Sequence, residues 1–565
     1  MKKSTAKMLA ILFIVTALVT SLAACGSNNE NNGSNSGSAG ETSTDPVTMT
    51  WFSADPISSW NNMQDEVGQE ITKQTGVTLK AEFAMDANRI ALMIASGDYP
   101  DLISPKGDAG KLVDAGALID LTDLIEEYGP NLKKVYGDYF DRLKWSAEDD
   151  SIYILPALNA VDQQYMDIAG SFHVQHAAVK EAGYPEIKTI QDYEEVIKQY
   201  VDKHPTTADG QPTIGISLLA DDWRIMIGVT NPAFFTTGAP DDGEFYIDPE
   251  TYEVTYHYRR PEEKEYFRWL NHINDIGLLD PEAFVQKEDQ YKAKIASGRV
   301  VGVIDQDWGF QDSVNSLKSE GKYEQTYAHF PVTLSEEYKD HSLQSTGFMA
   351  GWGTGITTEA EDPVRAIKFL DFLASEEGQI LNYWGIEGKH YEYDENGVRF
   401  IPEDVLNRKN NDTANWTKET GVGLYGISGR YGDGVKDSTG NYYTTKYPEQ
   451  VIANYSDAEK ETLSAYGVER WIELWPQPEE FEVKDWGAAW DIAYPSDSDL
   501  AILYKTMEEI TRLRVPEIIL AEPSEFDALW DAYMAELEKN GVEDMEDEYE
   551  TYVKARVEHW GGSAE

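Results

Sequence analysis

The sequence predicts an α/β protein of two lobes, and three observations carry that prediction. The chain has 565 residues, too many for one apolar core, so at least two lobes are required. Hydrophobic residues make up 41% and aromatics 12% of it, which suits a folded globular chain rather than a disordered one. From about residue 46, short β-patterned runs alternate with amphipathic helical ones, the pattern of lobes built on mostly parallel sheets.

The first 45 residues stand apart from that pattern. Lys2, Lys3 and Lys7 precede a run of 17 apolar residues, MLAILFIVTALVTSLAA at 8–24, slightly short of a bilayer-spanning helix. Residues 1–24 therefore read as a signal peptide, with small Ala23 and Ala24 before the cleavage point. Cys25 is the only cysteine in the chain, which excludes internal disulfides and any cysteine-based zinc or iron–sulfur site. LAAC resembles the lipobox of bacterial lipoproteins, which implies a lipid on the Cys25 sulfur and a membrane anchor of two acyl chains. Residues 25–45, nearly all Gly, Ser, Asn and acids, read as a flexible tether with a reach of roughly 25 Å. The expected location is the extracellular face of the cell membrane.

VTMTWFSAD at 47–55 alternates as a strand. The helix that follows should run from a cap at Ser58 or Ser59 to Gly76. VTLKAEF and YPDLIS are further strands around a helix containing NRIALMIASGD. SFHVQHAAVKEAGYP, TIQDYEEVIKQYVDKHP and the strand TIGIS repeat the alternation. GEFYIDPETYEVTYHY reads as a hairpin turning on Asp248, Pro249 and Glu250. PEEKEYFRWLNHINDIGLL is a helix with an apolar face of Tyr266, Phe267, Trp269, Leu270 and Ile273. VVGVIDQDWG is a strand running into a turn. Asp362 caps and Pro363 opens the next helix, and the stretch from SDSDLAILYKTMEEI to VEHW, residues 496–560, is mainly amphipathic helix.

Lys and Arg total 47 against 101 Asp and Glu, a formal net charge of −54. Such a surface repels phosphate backbones, so no nucleic-acid partner is expected. GWGTG at 351–355 has Ile356 in place of the third glycine of a dinucleotide fingerprint, so it reads as latitude for a hinge or a close ligand approach. No G-x-S-x-G or H-E-x-x-H is present. HVQH at 173–176 would set two imidazoles on one helical face with no third ligand in view, so no metal is expected there. No cofactor is expected.

IASGDYPDLI, ALIDLTDLIEEYGPNLKK, the stretch from DPETYEVTYHY to LLDPEAF, AKIASGRVVGVI and RAIKFLDFLASEEGQILNYWGIEGKHYEY together resemble one family in their expected order. It is family 1 of the extracellular solute-binding proteins, particularly the long LplA-like and alginate-oligosaccharide-binding lipoproteins of bacterial ABC sugar importers. The resemblance implies a type II periplasmic-binding-protein-like fold: two α/β lobes, a hinge, and an interlobe cleft that closes on a sugar. It divides the chain into a first lobe at 46–158, a second at 159–346, a hinge crossing with first-lobe helices at 347–410, and second-lobe and C-terminal helices at 411–565. It implies an oligosaccharide ligand, ABC permease subunits as partners, a monomer, and no catalysis. Alginate binders often carry an EF-hand-like calcium loop; the corresponding YVDKHPTTADGQPTIGIS keeps Asp202, Asp209 and Gly210 but not the alternating ligands that calcium requires. Structural calcium is therefore not expected.

A sugar site needs aromatic faces for pyranose C–H surfaces and planar polar groups for hydroxyls. With 15 Trp and 33 Tyr, position is the filter. Strand-to-helix turns hold Trp60, Trp223 and Trp308; the hinge stretch holds Trp352; the YWGIEGKHYEY segment holds Trp384 and Tyr391. For each of these a core position is the competing reading. The resemblance sets Asp55 on an acidic position that bonds sugar hydroxyls, and Lys106 and Asp108 on the next such loop. Arg224 flanks Trp223 and would pair with a uronate carboxylate by a bidentate fork, with Lys106 as the alternative. The rival readings are a secreted glycoside hydrolase, which needs two carboxylates across a cleft, and a peptide-binding lipoprotein.

Overall fold

Alternating side-chain direction along one strand explains how the first lobe is layered. In Val47–Ser53, Met49 and Trp51 point into one apolar cluster and Phe52 into another, as the two faces of a pleated strand require. The computed structural model describes residues 45–85, 88–146, 148–240 and 242–561. The expected signal peptide, Cys25 and the tether up to residue 44 lie outside them.

Val47–Ser53 pairs in parallel with Val77–Phe83 and with Leu102–Ser104. Gly353–Ile356 joins antiparallel beside Leu102–Ser104, and Leu155–Pro156 closes the five-stranded sheet. One face is covered by the helices Glu66–Thr75 and Pro363–Ala374, through Val67, Ile71, Ile367 and Leu370. The helix Arg89–Ser96 covers the other through Ile90 and Met93.

The second lobe has its own sheet, in the order Tyr327–Phe330, Gly170–Gln175, Val300–Gln306, Ile214–Ser217. Gly170–Gln175 is antiparallel to both neighbours, while Ile214–Ser217 runs parallel to Val300–Gln306. Its large core joins Phe172, Val174, Tyr193 and Trp269 to Met507, Val515, Trp530, Tyr549 and Val553 of the C-terminal helices. Those helices are Asp499–Leu520, Phe526–Lys539 and Val542–His559. The chain leaves the first sheet after Leu155–Pro156 and returns to it at Gly353–Ile356, so two sheets with separate cores share a crossing at those strands. Among the described residues no helix is long and apolar enough to cross a membrane.

Four local expectations change. The first helix starts at Glu66, not near Ser58: the Asp65 carboxylate caps it by accepting from Gly68 N at 2.7 Å, and Tyr425 Oη donates to the same carboxylate at 2.7 Å. Gly76 ends it at φ 71°, as expected. HVQH is not on a helical face; His173 lies in the strand Gly170–Gln175 and His176 opens the helix His176–Glu181. Val300–Gln306 runs directly into the helix Asp307–Ser319 rather than a turn. Past residue 411 the chain does not move at once to the second lobe, because Leu424 and Tyr425 pack in the first core and Val451 is the next residue to join the second. Of the stretch compared with a calcium loop, Asp202 lies inside the helix Ile190–Lys203 and Asp209 in the turn that follows it. Asp202 is paired with Lys198 at 2.6 Å, the Thr207 hydroxyl bonds Asp209, and Thr207 and Gln211 close the turn by a backbone bond.

Candidate functional site

Ligands in open α/β sheets sit beyond the carboxyl ends of parallel strands. Here an open cavity lies at those ends of the first sheet. Its floor is fixed by hydroxyl bonds: Trp51 Nε1 donates to Ser104 Oγ at 2.9 Å, Ser104 Oγ meets Thr354 Oγ1 at 2.9 Å, and Asp55 N donates to Ser53 Oγ at 3.2 Å.

Three predicted residues meet at this cavity: Asp55, Lys106 and Trp352. Lys106 Nζ is 2.8 Å from Asp55 Oδ1 and 5.1 Å from the centre of the Trp352 ring. Both charged side chains are well exposed, so the pair contributes at most about 1 kcal/mol and gives way readily to a polar ligand. Lys106 is at φ 56° and Trp352 at φ 29°, torsions that side-chain-bearing residues hold only under constraint. The constraint on Trp352 is visible: its carbonyl accepts from both Ala157 N and Leu158 N at 3.2 Å.

Trp223 and Trp308 meet in the second lobe. Ile214–Ser217 and Val300–Gln306 are parallel neighbours, and the two tryptophans follow their carboxyl ends. Their rings stack at 5.8 Å with 23° between planes and stay 38% and 54% exposed. Arg224 lies over Trp223 at 5.1 Å but is ion-paired to Glu288. Behind Trp308, burial pushes Asp305 up to about 6, and burial with the nearby Asp167 charge pushes Asp307 up to about 7.

Four predicted residues lie elsewhere. Trp60 packs edge-on to Trp51 at 5.2 Å within a first-lobe aromatic cluster. Asp108 pairs with Lys111 at 2.6 Å on the following helix. Trp384 is buried, its Nε1 donating to the Tyr442 and Tyr443 carbonyls, and Tyr391 is buried beside it. These two rings surround the buried Arg399, which pairs with Asp437 at 2.7 Å.

Two residues escaped the sequence reading. Arg430 lines the cavity, its Nε and Nη2 donating to the Ala157 and Leu158 carbonyls at 2.9 and 2.8 Å. Trp490, a neighbour of second-lobe core residues Ala489 and Ile492, reaches Trp352 at 4.5 Å. Both sit in glycine-bearing irregular segments, GISGRYGDG and WGAAWD, whose path no periodicity reveals.

Two α/β lobes joined at strands beside an open cavity, with polar and aromatic side chains at the strand ends, define a two-lobe solute-binding protein. The chain belongs to the bacterial extracellular solute-binding protein family, whose profile matches residues 66–386. It is 24% identical over 396 residues to the fructooligosaccharide ABC transporter substrate-binding protein FusA of Streptococcus pneumoniae, covering 66% of this chain and 70% of that one. It is 21% identical over 342 residues to the lipoprotein LipO of Bacillus subtilis, covering 57% and 63%. In fold it is similar to a FusA EF-hand mutant crystallised with fructo-nystose, with a TM-score of 0.64 over 90% of this chain and 99% of that one at 19% identity. It is likewise similar to the alginate-binding protein AlgQ2 without calcium, with a TM-score of 0.62 over 91% and 99% at 18% identity.

Proposed function

We propose that this protein captures extracellular oligosaccharides and hands them to an ABC permease, held at the membrane by a lipid on Cys25. The observation that carries the sugar reading is the pairing of exposed aromatic faces with exchangeable polar groups at the strand ends of both lobes. Trp352 with Asp55 and Lys106 serves the first lobe, and the stacked Trp223 and Trp308 serve the second. FusA and LipO, a fructooligosaccharide receptor and a lipoprotein, support the ligand class and the anchor.

The ligand is a neutral saccharide. Arg224 is paired with Glu288 and Arg430 is held by two carbonyls, and a uronate displacing the weak Lys106–Asp55 pair would meet the Asp55 carboxylate. Binding is also favoured over hydrolysis. Among the described residues lining the cavity, Asp55 is the one carboxylate, whereas glycoside hydrolysis uses two.

Calorimetry of the chain from Pro46 against an oligosaccharide panel, run beside a reducing-end assay, separates the two activities. Saturable heat without new reducing ends is expected; new reducing ends would make the protein a hydrolase. For the anchor, Cys25→Ser should move the protein from the membrane fraction to the medium. Retention on the membrane would remove the lipid from the account.

A further inference from the structure

Three ligand-bearing side chains converge in the second lobe, away from the cavity. Gly170–Gln175 and Tyr327–Phe330 pair so that His173 and His329 stand directly opposite each other. Opposed residues project to one face with Cβ atoms about 4.5–5.5 Å apart, and the two imidazole centres are 4.8 Å apart at 74°. On the other side of Gly170–Gln175, the helix Asp307–Ser319 begins, and Asp307 N donates to the Ala169 carbonyl at 2.6 Å. One nitrogen from each histidine and one Asp307 carboxylate oxygen all lie within 4.8 Å of one another.

The protonation pattern suits ligation. His173 Nε2 is 2.9 Å from the Asp305 carbonyl. A carbonyl only accepts, so Nε2 carries the proton and Nδ1 presents its lone pair. Metal-bound histidines use this same backing bond. His329 Nδ1 is shielded from solvent and has no hydrogen-bond partner. Asp167, Asp305 and Glu459 add negative charge around Asp307, with Lys446 opposing.

We propose that His173, His329 and Asp307 form a binding site for a divalent transition-metal ion, zinc being the best match. Two imidazole nitrogens and one carboxylate suit zinc and exclude the all-oxygen preference of calcium and magnesium. Zinc bonds of about 2.0–2.2 Å set tetrahedral ligand atoms about 3.3 Å apart, so the three atoms draw together by side-chain rotation and water fills the fourth position. Trp308 follows Asp307 directly. The ion therefore ties two strands to the base of the helix that carries this exposed indole.

The test uses the whole chain, stripped with a chelator and titrated with Zn²⁺ against a chromophoric indicator, with Co²⁺ as a spectroscopic substitute. One tight Zn²⁺ per chain is expected, not displaced by excess Ca²⁺, together with the visible absorption of tetrahedral Co²⁺. His329→Gln and Asp307→Asn should each weaken that site by at least about 100-fold while far-ultraviolet circular dichroism is unchanged. The Co²⁺ spectrum of the unmodified chain gives a readout even if a variant fails to fold. Zinc bound no more tightly than at the exposed pairs His204–Glu181 and His272–Glu194, affinity unchanged in His329→Gln, or an octahedral Co²⁺ spectrum would each overturn the proposal.

Discussion

Lys106 and Trp352 hold positive φ, at 56° and 29°, and both line the first-lobe cavity. Such torsions cost a residue bearing a side chain about 1–3 kcal/mol each, whereas glycine adopts them freely. Lys106→Gly should therefore raise the thermal unfolding midpoint by about 1–2 °C, since the exposed pair it loses is worth at most about 1 kcal/mol, and should weaken saccharide binding. A lower midpoint would show that the Lys106 torsion is unstrained. Asp340 gives a residue-scale test of burial. It is 5% exposed, and burial raises its carboxyl from 3.8 to about 6. Because the folded value is the higher one, its stabilising contribution is full below pH 3.8 and is lost as pH rises through 6, a cost of up to about 3 kcal/mol at pH 8. Ser342 N and Oγ both donate to Oδ1, an acceptor that asparagine keeps. Asp340→Asn should thus unfold at a higher temperature than the parent at pH 8 and at the same temperature at pH 4. Equal displacement at both would contradict the burial argument.

At the scale of elements, GWGTG shows what the sequence disclosed and what it hid. Its glycines suggested backbone latitude at the hinge, yet the residue that takes the unusual torsion is Trp352 between them. The glycines serve close approach instead: a Cβ on Gly351 would lie 1.6 Å from Asp491 Oδ2, and one on Gly353 would lie 1.8 Å from the Leu155 carbonyl. Gly353→Ala must push apart the strands Gly353–Ile356 and Leu155–Pro156 and should destabilise the protein by about 3 kcal/mol, read as a lower denaturant midpoint; an unchanged midpoint would contradict the packing. The strand–helix alternation, the Gly76 stop and the Asp362 cap were legible because they are local. The Asp65 cap was not, since part of its environment is Tyr425, 360 residues away. Trp384 and Trp308 show the same limit for the site. Both follow regular elements, but one indole is 2% and the other 54% exposed, and only tertiary packing separates them. HVQH misled for a related reason: His173 lies in a strand and His176 opens a helix, so the two imidazoles share no helical face.

For the whole molecule, binding must couple to closure, because a ligand with equal affinity for open and closed forms shifts nothing. Saturating oligosaccharide should reduce the radius of gyration in small-angle scattering, and an unchanged value would leave a single-lobe site. A neutral ligand also sets an electrostatic expectation. Despite the net charge of −54, affinity should stay level as salt rises from low to high concentration, because screening acts on charged ligands; an affinity that follows salt would indicate an anionic sugar. The most direct test of a sugar held by both lobes is calorimetric titration of one bound oligosaccharide into Trp352→Ala and Trp308→Ala. Each is expected to weaken binding by about tenfold or more, the scale of a lost aromatic contact on a ligand, with unfolding temperatures close to the parent. Full affinity in either variant would contradict the two-lobe site.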